Sequence, residues 1–172
     1  MNWLLPTDPG STTRRYFVTA AAWMIVAVFV GLLAALELVA PDVFAGIPWL
    51  GFGRLRPIHT NLMLLGWVPA ALVGGVLYIV PRVLGTKLWS ERLGHVSVWA
   101  FNTLLVLAVV TLHLGMTQGR EYAELIRPLD FVVLTWLTLI GVNLLMTVRQ
   151  RTEKVLFVSV WYACGAVLWT FV

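Results

Sequence analysis

The chain has 172 residues, of which 60% are hydrophobic and only 12% charged, with a formal net charge of +4. That balance lies outside the range of soluble domains and describes an integral membrane protein, and the Lys and Arg residues fall mostly between apolar runs, where they set topology rather than contact nucleic acid. The single cysteine, Cys164, excludes an intrachain disulfide and a cysteine-based metal cage.

In chain order, residues 1–15 are polar and carry Pro6, Asp8-Pro9-Gly10 and Ser11-Thr12-Thr13, which predicts a cytoplasmic N-terminal tail. The apolar run that follows is too long for a signal-peptide core, so the first helix is expected to be retained. Five apolar segments stand near Tyr16–Ala40, Ile58–Val80, His95–Met116, Leu129–Val148 and Val155–Val172. Each approaches the twenty or so residues that cross the hydrocarbon core. Pro41-Asp42 closes the first and Pro81-Arg82 the second; Pro128 opens the fourth, which Arg149 and Arg151 close. The fifth runs to Val172 without a polar flank, so residues 16–172 are expected to form the front part of a larger helical bundle. Eight of the twelve Lys and Arg residues lie in the tail and in the loops on its side of the membrane. The expected fold is therefore an all-α membrane protein of five transmembrane helices with a cytoplasmic N-terminus.

The stretch Gly53-Arg54-Leu55-Arg56-Pro57-Ile58-His59-Thr60 holds two arginines, a proline and a histidine at the mouth of the second segment. Proline suits the first turn of a helix, which would place His59 a turn or less inside it. An ionisable side chain at that depth is costly to bury, and imidazole is a common metal and haem-iron ligand. Arg54 and Arg56 would lie beside it, where guanidinium groups can pair with cofactor carboxylates. Gly66, Ala70 and Gly74 extend a stripe of small residues from His59, which reads either as room for a flat macrocycle or as close helix packing.

His113, near the outer end of the third segment, could pair with His59 on one haem, or could simply be a packed histidine. His95, at the opposite end of that segment, is expected as an interfacial residue. The loop Gln118-Gly119-Arg120-Glu121-Tyr122-Ala123-Glu124 offers two carboxylates that could hold a hard cation such as calcium, or be an ordinary solvated loop balanced by Arg120 and Arg127.

Three ordered stretches then carry a resemblance: Gly53 to Thr60, Thr117 to Leu125, and Val158-Ser159-Val160-Trp161-Tyr162. In order and spacing they resemble the N-terminal third of the catalytic subunit of haem-copper oxidases, in the branches of the C-type oxygen reductases and nitric oxide reductases. The resemblance implies that His59 is an axial ligand of a low-spin haem b, that Arg56 lies near the haem propionates, and that Glu121 binds a calcium ion bridging them. Arg54 and Glu124 are weaker candidates for the same site. It further implies a multi-pass subunit of a bacterial or archaeal cytoplasmic membrane. Its partners would be other membrane helices or subunits, lipid and a cytochrome c-type electron donor. The second haem and the copper or iron centre would be built on later helices, so this segment lacks the ligands to reduce oxygen or nitric oxide alone. A non-catalytic haem carrier ligated by His59 and His113, and a cofactor-free helical assembly subunit, are the alternatives.

Overall fold

A computed structural model describes residues 4–120 and 123–170, and among them every regular element is helical. Helix α1 spans Ser11–Val39, a 3-10 turn spans Pro48–Leu50, and α2 spans Phe52–Asn61. A π turn at Leu62–Trp67 joins α2 to α3, Val68–Val83; α4 spans Glu91–His113, α5 Arg127–Arg149 and α6 Val158–Thr170. Four helices are long and apolar enough to cross a membrane: α1, the continuous Phe52–Val83 stretch, α4 and α5. The 23 residues of α4 and of α5 rise about 34 Å, more than the hydrocarbon thickness. The fifth expected segment is the shorter apolar helix α6, described over 13 residues.

The described residues divide into two compact units. The first takes its residues from Met1–Phe17, Ala71–Phe101 and Val132–Val172. Its apolar centre is Val80, Leu84, Leu144, Val160 and Ala163, with Val148, Leu156 and Cys164 packed around it. Cys164 is an unpaired thiol in that packing. Lipid offers polar groups no partners, so those of the helices must be satisfied internally. Tyr16, fully buried, shares a 2.7 Å hydrogen bond with Ser97 Oγ and accepts one of 3.0 Å from Trp136 Nε1. Phe101 closes the cluster, its ring centroid 4.7 Å from that of Trp136. Before α4, the Ser90 amide donates to Asn143 Oδ1 (3.1 Å) and the Trp89 amide to Thr147 Oγ1 (3.0 Å).

The expected tail boundary moves, because α1 begins at Ser11 rather than Tyr16. A helix start leaves four amides without intrahelical acceptors, and here the acceptor comes from α4. Glu91 receives the Gly10 amide at 2.6 Å, the Thr12 amide at 2.9 Å and the Ser11 hydroxyl at 3.2 Å. His95, near the start of α4 as expected, is fully buried among protein atoms, with Nε2 2.9 Å from Ser11 Oγ. Since that hydroxyl donates to Glu91, its lone pair accepts from the His95 ring.

The second unit draws on Val18–Ala70 and Asn102–Phe131. Trp23 Nε1 donates to Asn102 Oδ1 at 3.0 Å, and Asn102 Nδ2 donates to Thr19 Oγ1 at 3.3 Å, again pairing polar groups within the apolar helices. The Gly66 backbone lies against Leu105, within 3.4 Å of where a Cβ would stand. Within the first unit, Gly74 packs against Tyr16 and Phe17 in the same manner. At Gly66 and Gly74, two of the three small residues of the stripe, neighbouring side chains therefore lie in packing contact.

Candidate functional site

The helix that carries His59 starts earlier than its proline suggests. Gly51, extended at φ −64° and ψ 147°, precedes the first residue of α2, Phe52, so Pro57 is the sixth helical residue and His59 the eighth. His59 is thus two turns inside α2, and Arg54 and Arg56 are helical residues rather than loop residues. A proline inside a helix removes one backbone hydrogen bond. The π turn that follows within a few residues is the kind of irregularity found at functional sites.

His59 is half-buried, and its Nδ1 lies 2.8 Å from the carbonyl oxygen of Ala27 on α1. A carbonyl can only accept, so Nδ1 carries a proton, and in the neutral ring Nε2 then keeps an in-plane lone pair. That is the tautomer required of an imidazole that binds a metal through Nε2, and anchoring of the other ring nitrogen on a carbonyl is the usual supporting bond of such ligands. The ring has room only because residue 31 is glycine. A Cβ there would lie 2.6 Å from Cε1 and Nδ1 and 3.2 Å from Nε2. The residues present therefore fit a haem-iron ligand at His59: the ring, its anchor through Nδ1 and a backbone cradle at Gly31 are all in place.

Arg56 is exposed and lies three residues before His59, so the two share a face of α2. Arg54 is half-buried, and its guanidinium packs against Gly115, whose φ of +79° turns the chain just beyond α4. The amides of Gly115 and Met116 close that helix end by donating to Leu112 (3.0 Å) and Thr111 (2.9 Å). A guanidinium there meets the negative end of the helix dipole. His113, the last residue of α4, donates from Nδ1 to the Val109 carbonyl at 3.0 Å, and its ring lies 6.3 Å from that of Trp49.

Glu121, the expected calcium ligand, and Tyr122 lie outside the described residues. The rest of their loop is ordered by its own hydrogen bonds. Gln118 donates its amide to the Glu124 carbonyl (3.1 Å) and its side chain to the Leu125 carbonyl and to Asp130 Oδ2 (3.0 Å). Glu124 is not a solvated carboxylate: it is 8% exposed and accepts a 2.9 Å hydrogen bond from Asn61 Nδ2. Sequence reading missed Asn61, Ala27 and Gly31, which lie 63 residues from Glu124 and about thirty from His59 along the chain. Among the described residues, no group of three or more His, Cys, Asp or Glu side chains is gathered to hold a metal ion.

Comparison with known proteins bears on this arrangement. Residues 11–172 match the model of the family described as Cytochrome C and Quinol oxidase polypeptide I. The chain is 32% identical over 149 residues to the Cbb3-type cytochrome c oxidase subunit CcoN1 of Stutzerimonas stutzeri, covering 87% of this chain and 31% of that protein. It is 34% identical over 172 residues to the cytochrome c oxidase subunit 1 homolog of Agrobacterium tumefaciens (strain T37), covering 92% and 31%. With the cytochrome c oxidase subunit 1 of Rhodobacter capsulatus the identity is 31% over 174 residues, covering 93% and 32%. The chain spans about a third of the length of these relatives.

Proposed function

The chain belongs to the Cytochrome C and Quinol oxidase polypeptide I family, and from that premise we propose that it supplies His59 as one axial ligand of a low-spin haem b in a terminal respiratory oxidase. Arg56 and Arg54 would balance the charge of the haem propionates, and Glu121 would help hold a calcium ion. The observation that carries the reading is the His59 ring itself, with Nδ1–H anchored on the Ala27 carbonyl over Gly31 and the Nε2 lone pair left for iron. The names of the relatives, all cytochrome c oxidase subunits, favour oxygen over nitric oxide as the substrate of the assembled enzyme.

When bound, the haem held through His59 would supply reversible one-electron transfer between a c-type cytochrome donor and a binuclear centre of haem and copper. The chain's own contribution is to hold one ligand and balance charge. The carbonyl of Ala27 fixes the tautomer and the ring plane of His59, so the ligand is oriented before the cofactor arrives. Arg56, on the same face of α2, offers a planar pair of donors suited to a carboxylate. The remaining ligands, the second haem and the copper site fall to other helices of the assembled subunit. We place the whole in a bacterial or archaeal cytoplasmic membrane, with the N-terminus on the cytoplasmic side.

The test compares His59→Ala with His95→Ala in the assembled complex by visible absorbance and electron paramagnetic resonance. His59→Ala is expected to abolish the low-spin haem signal. His95→Ala, at the opposite end of α4 from His113 and beside the start of α1, is expected to keep it. An unchanged low-spin spectrum in His59→Ala would overturn the assignment.

A further inference from the structure

Two residues beyond His59, α2 sends a polar side chain toward the loop between α4 and α5. Asn61 is 5% exposed and Glu124 8% exposed, and the 2.9 Å bond from Asn61 Nδ2 to Glu124 Oε2 is buried. The orientation of the Asn61 amide is fixed. Nδ2 also donates to the Pro57 carbonyl at 2.8 Å, so a flipped amide would press its oxygen against two acceptors. Asn61 Oδ1 accordingly points elsewhere and has no partner among the described residues. A buried carboxylate is expensive unless it is hydrogen-bonded, and Asn61 supplies that bond.

The carboxylate is also the point at which its loop is gathered. The Glu124 carbonyl accepts the Gln118 amide, and the Gln118 side chain reaches Leu125 and Asp130, so the segment is closed on itself before it meets α2. Glu124 then joins this closed loop to the helix of His59. Immediately after Asn61 the helix widens into the π turn at Leu62–Trp67, so Asn61 holds the last regular α-helical position.

We propose that Asn61 is a positioning residue: acting through Glu124, it docks the loop that carries Glu121 onto the helix that carries His59, and so sets the electrostatic environment of the low-spin haem. The inference rests on the haem reading above. It differs from that reading in naming an uncharged residue that touches neither iron nor propionate in its proposed role, and in assigning Glu124 to docking rather than to a cation.

The test is a donor–acceptor swap in the assembled complex, read in two ways. Hydrogen exchange at the Gln118 amide reports closure and docking of the loop, and the midpoint potential of the low-spin haem reports its environment. Asn61→Asp sets two carboxylates face to face and is expected to accelerate exchange at Gln118 by roughly ten- to a hundredfold, the loss of one hydrogen bond to a charged group, and to shift the potential. Glu124→Gln keeps an acceptor for Asn61 Nδ2 and is expected to change both readouts little.

The double variant Asn61→Asp with Glu124→Gln restores a bond of reversed polarity, from the glutamine amide to the aspartate. It is expected to return both readouts toward the parent. The bond to the Pro57 carbonyl is lost in the single and the double Asp variants alike, so it cancels in their comparison. Parent-like exchange and potential in Asn61→Asp, or no recovery in the double variant, would overturn the proposal. Exchange that responds while the potential stays fixed would overturn the positioning role as well. Failure of the haem reading is seen separately, as a low-spin spectrum that survives His59→Ala.

Discussion

Replacing Gly31 by alanine tests the ligand cradle with one methyl group. The added carbon would stand 2.6 Å from Cε1 and Nδ1 of His59, whereas carbon contacts settle at about 3.5–4.0 Å. Either the imidazole or helix α1 must therefore retreat by roughly 1 Å. The ring's anchor to the Ala27 carbonyl is 2.8 Å long and arises from the same stretch of α1; a retreat of that size takes it to roughly the limit of a hydrogen bond or past it. Stranding the part-buried Nδ1–H costs about 1 kcal/mol or more, and forced overpacking about 1–3 kcal/mol more. Even the lower sum, about 2 kcal/mol, is roughly a thirtyfold change in an occupancy equilibrium. The expected result is loss of most of the low-spin haem absorbance from the purified complex, with an altered g-tensor in any haem that remains. Gly75→Ala is the control, since a Cβ there meets nothing within 4 Å, and it should leave spectrum and yield unchanged. A Gly31→Ala complex with the parent's low-spin absorbance and midpoint potential would refute both the cradle and its link to ligation.

Three further outcomes follow from the same geometry. His95→Ala removes a fully buried ring and its bond to Ser11, and should lower thermal stability by a step of about 1–3 kcal/mol while the haem spectrum persists; loss of the low-spin band with unchanged stability would contradict the assignment of His95 to the α1 cap. A cysteine at Gln118 should react with an impermeant thiol reagent from the periplasmic side and not from the cytoplasm, and labelling only from the cytoplasm would reverse the topology. Glu121→Gln should reduce calcium content and shift the low-spin haem potential more than Glu124→Gln does, by metal analysis and redox titration; full calcium occupancy with an unchanged potential would leave the loop a simple connection.

Helix positions were legible in the sequence because membrane spans announce themselves by length and by the prolines and charges that flank them. The α5 boundaries fell within two residues of Pro128 and Arg149, where such punctuation is local. The start of α1 was not legible, since its capping carboxylate, Glu91, lies 79 residues beyond Thr12. Polar residues without a visible cap read as a tail. Pro57 misled for a related reason: a proline marks a helix start only when nothing before it is helical, and Gly51 to Arg56 contains no signal that distinguishes a preceding turn of helix from a loop.

The site shows the same division between what a window of sequence holds and what it cannot. His59 was legible because an imidazole within an apolar run is chemically conspicuous. Its supports were not, for Ala27 contributes only a carbonyl and Gly31 only the lack of a side chain, and neither differs from its neighbours until α2 is laid against α1. Glu124 illustrates the converse. Its charge is conspicuous, and beside Glu121 it suggests a shared cation; what the sequence does not show is the neutral partner, Asn61, and the burial that the structure gives it. Two acidic residues three apart in one loop can thus be divided between tasks. A carboxylate buried against an amide is already satisfied in part, whereas on the proposed reading Glu121 sits beside anionic propionates and would need a cation to offset the repulsion. That asymmetry is why removal of the Glu121 charge should be read in calcium content, and disruption of the Asn61–Glu124 bond in the docking of the loop.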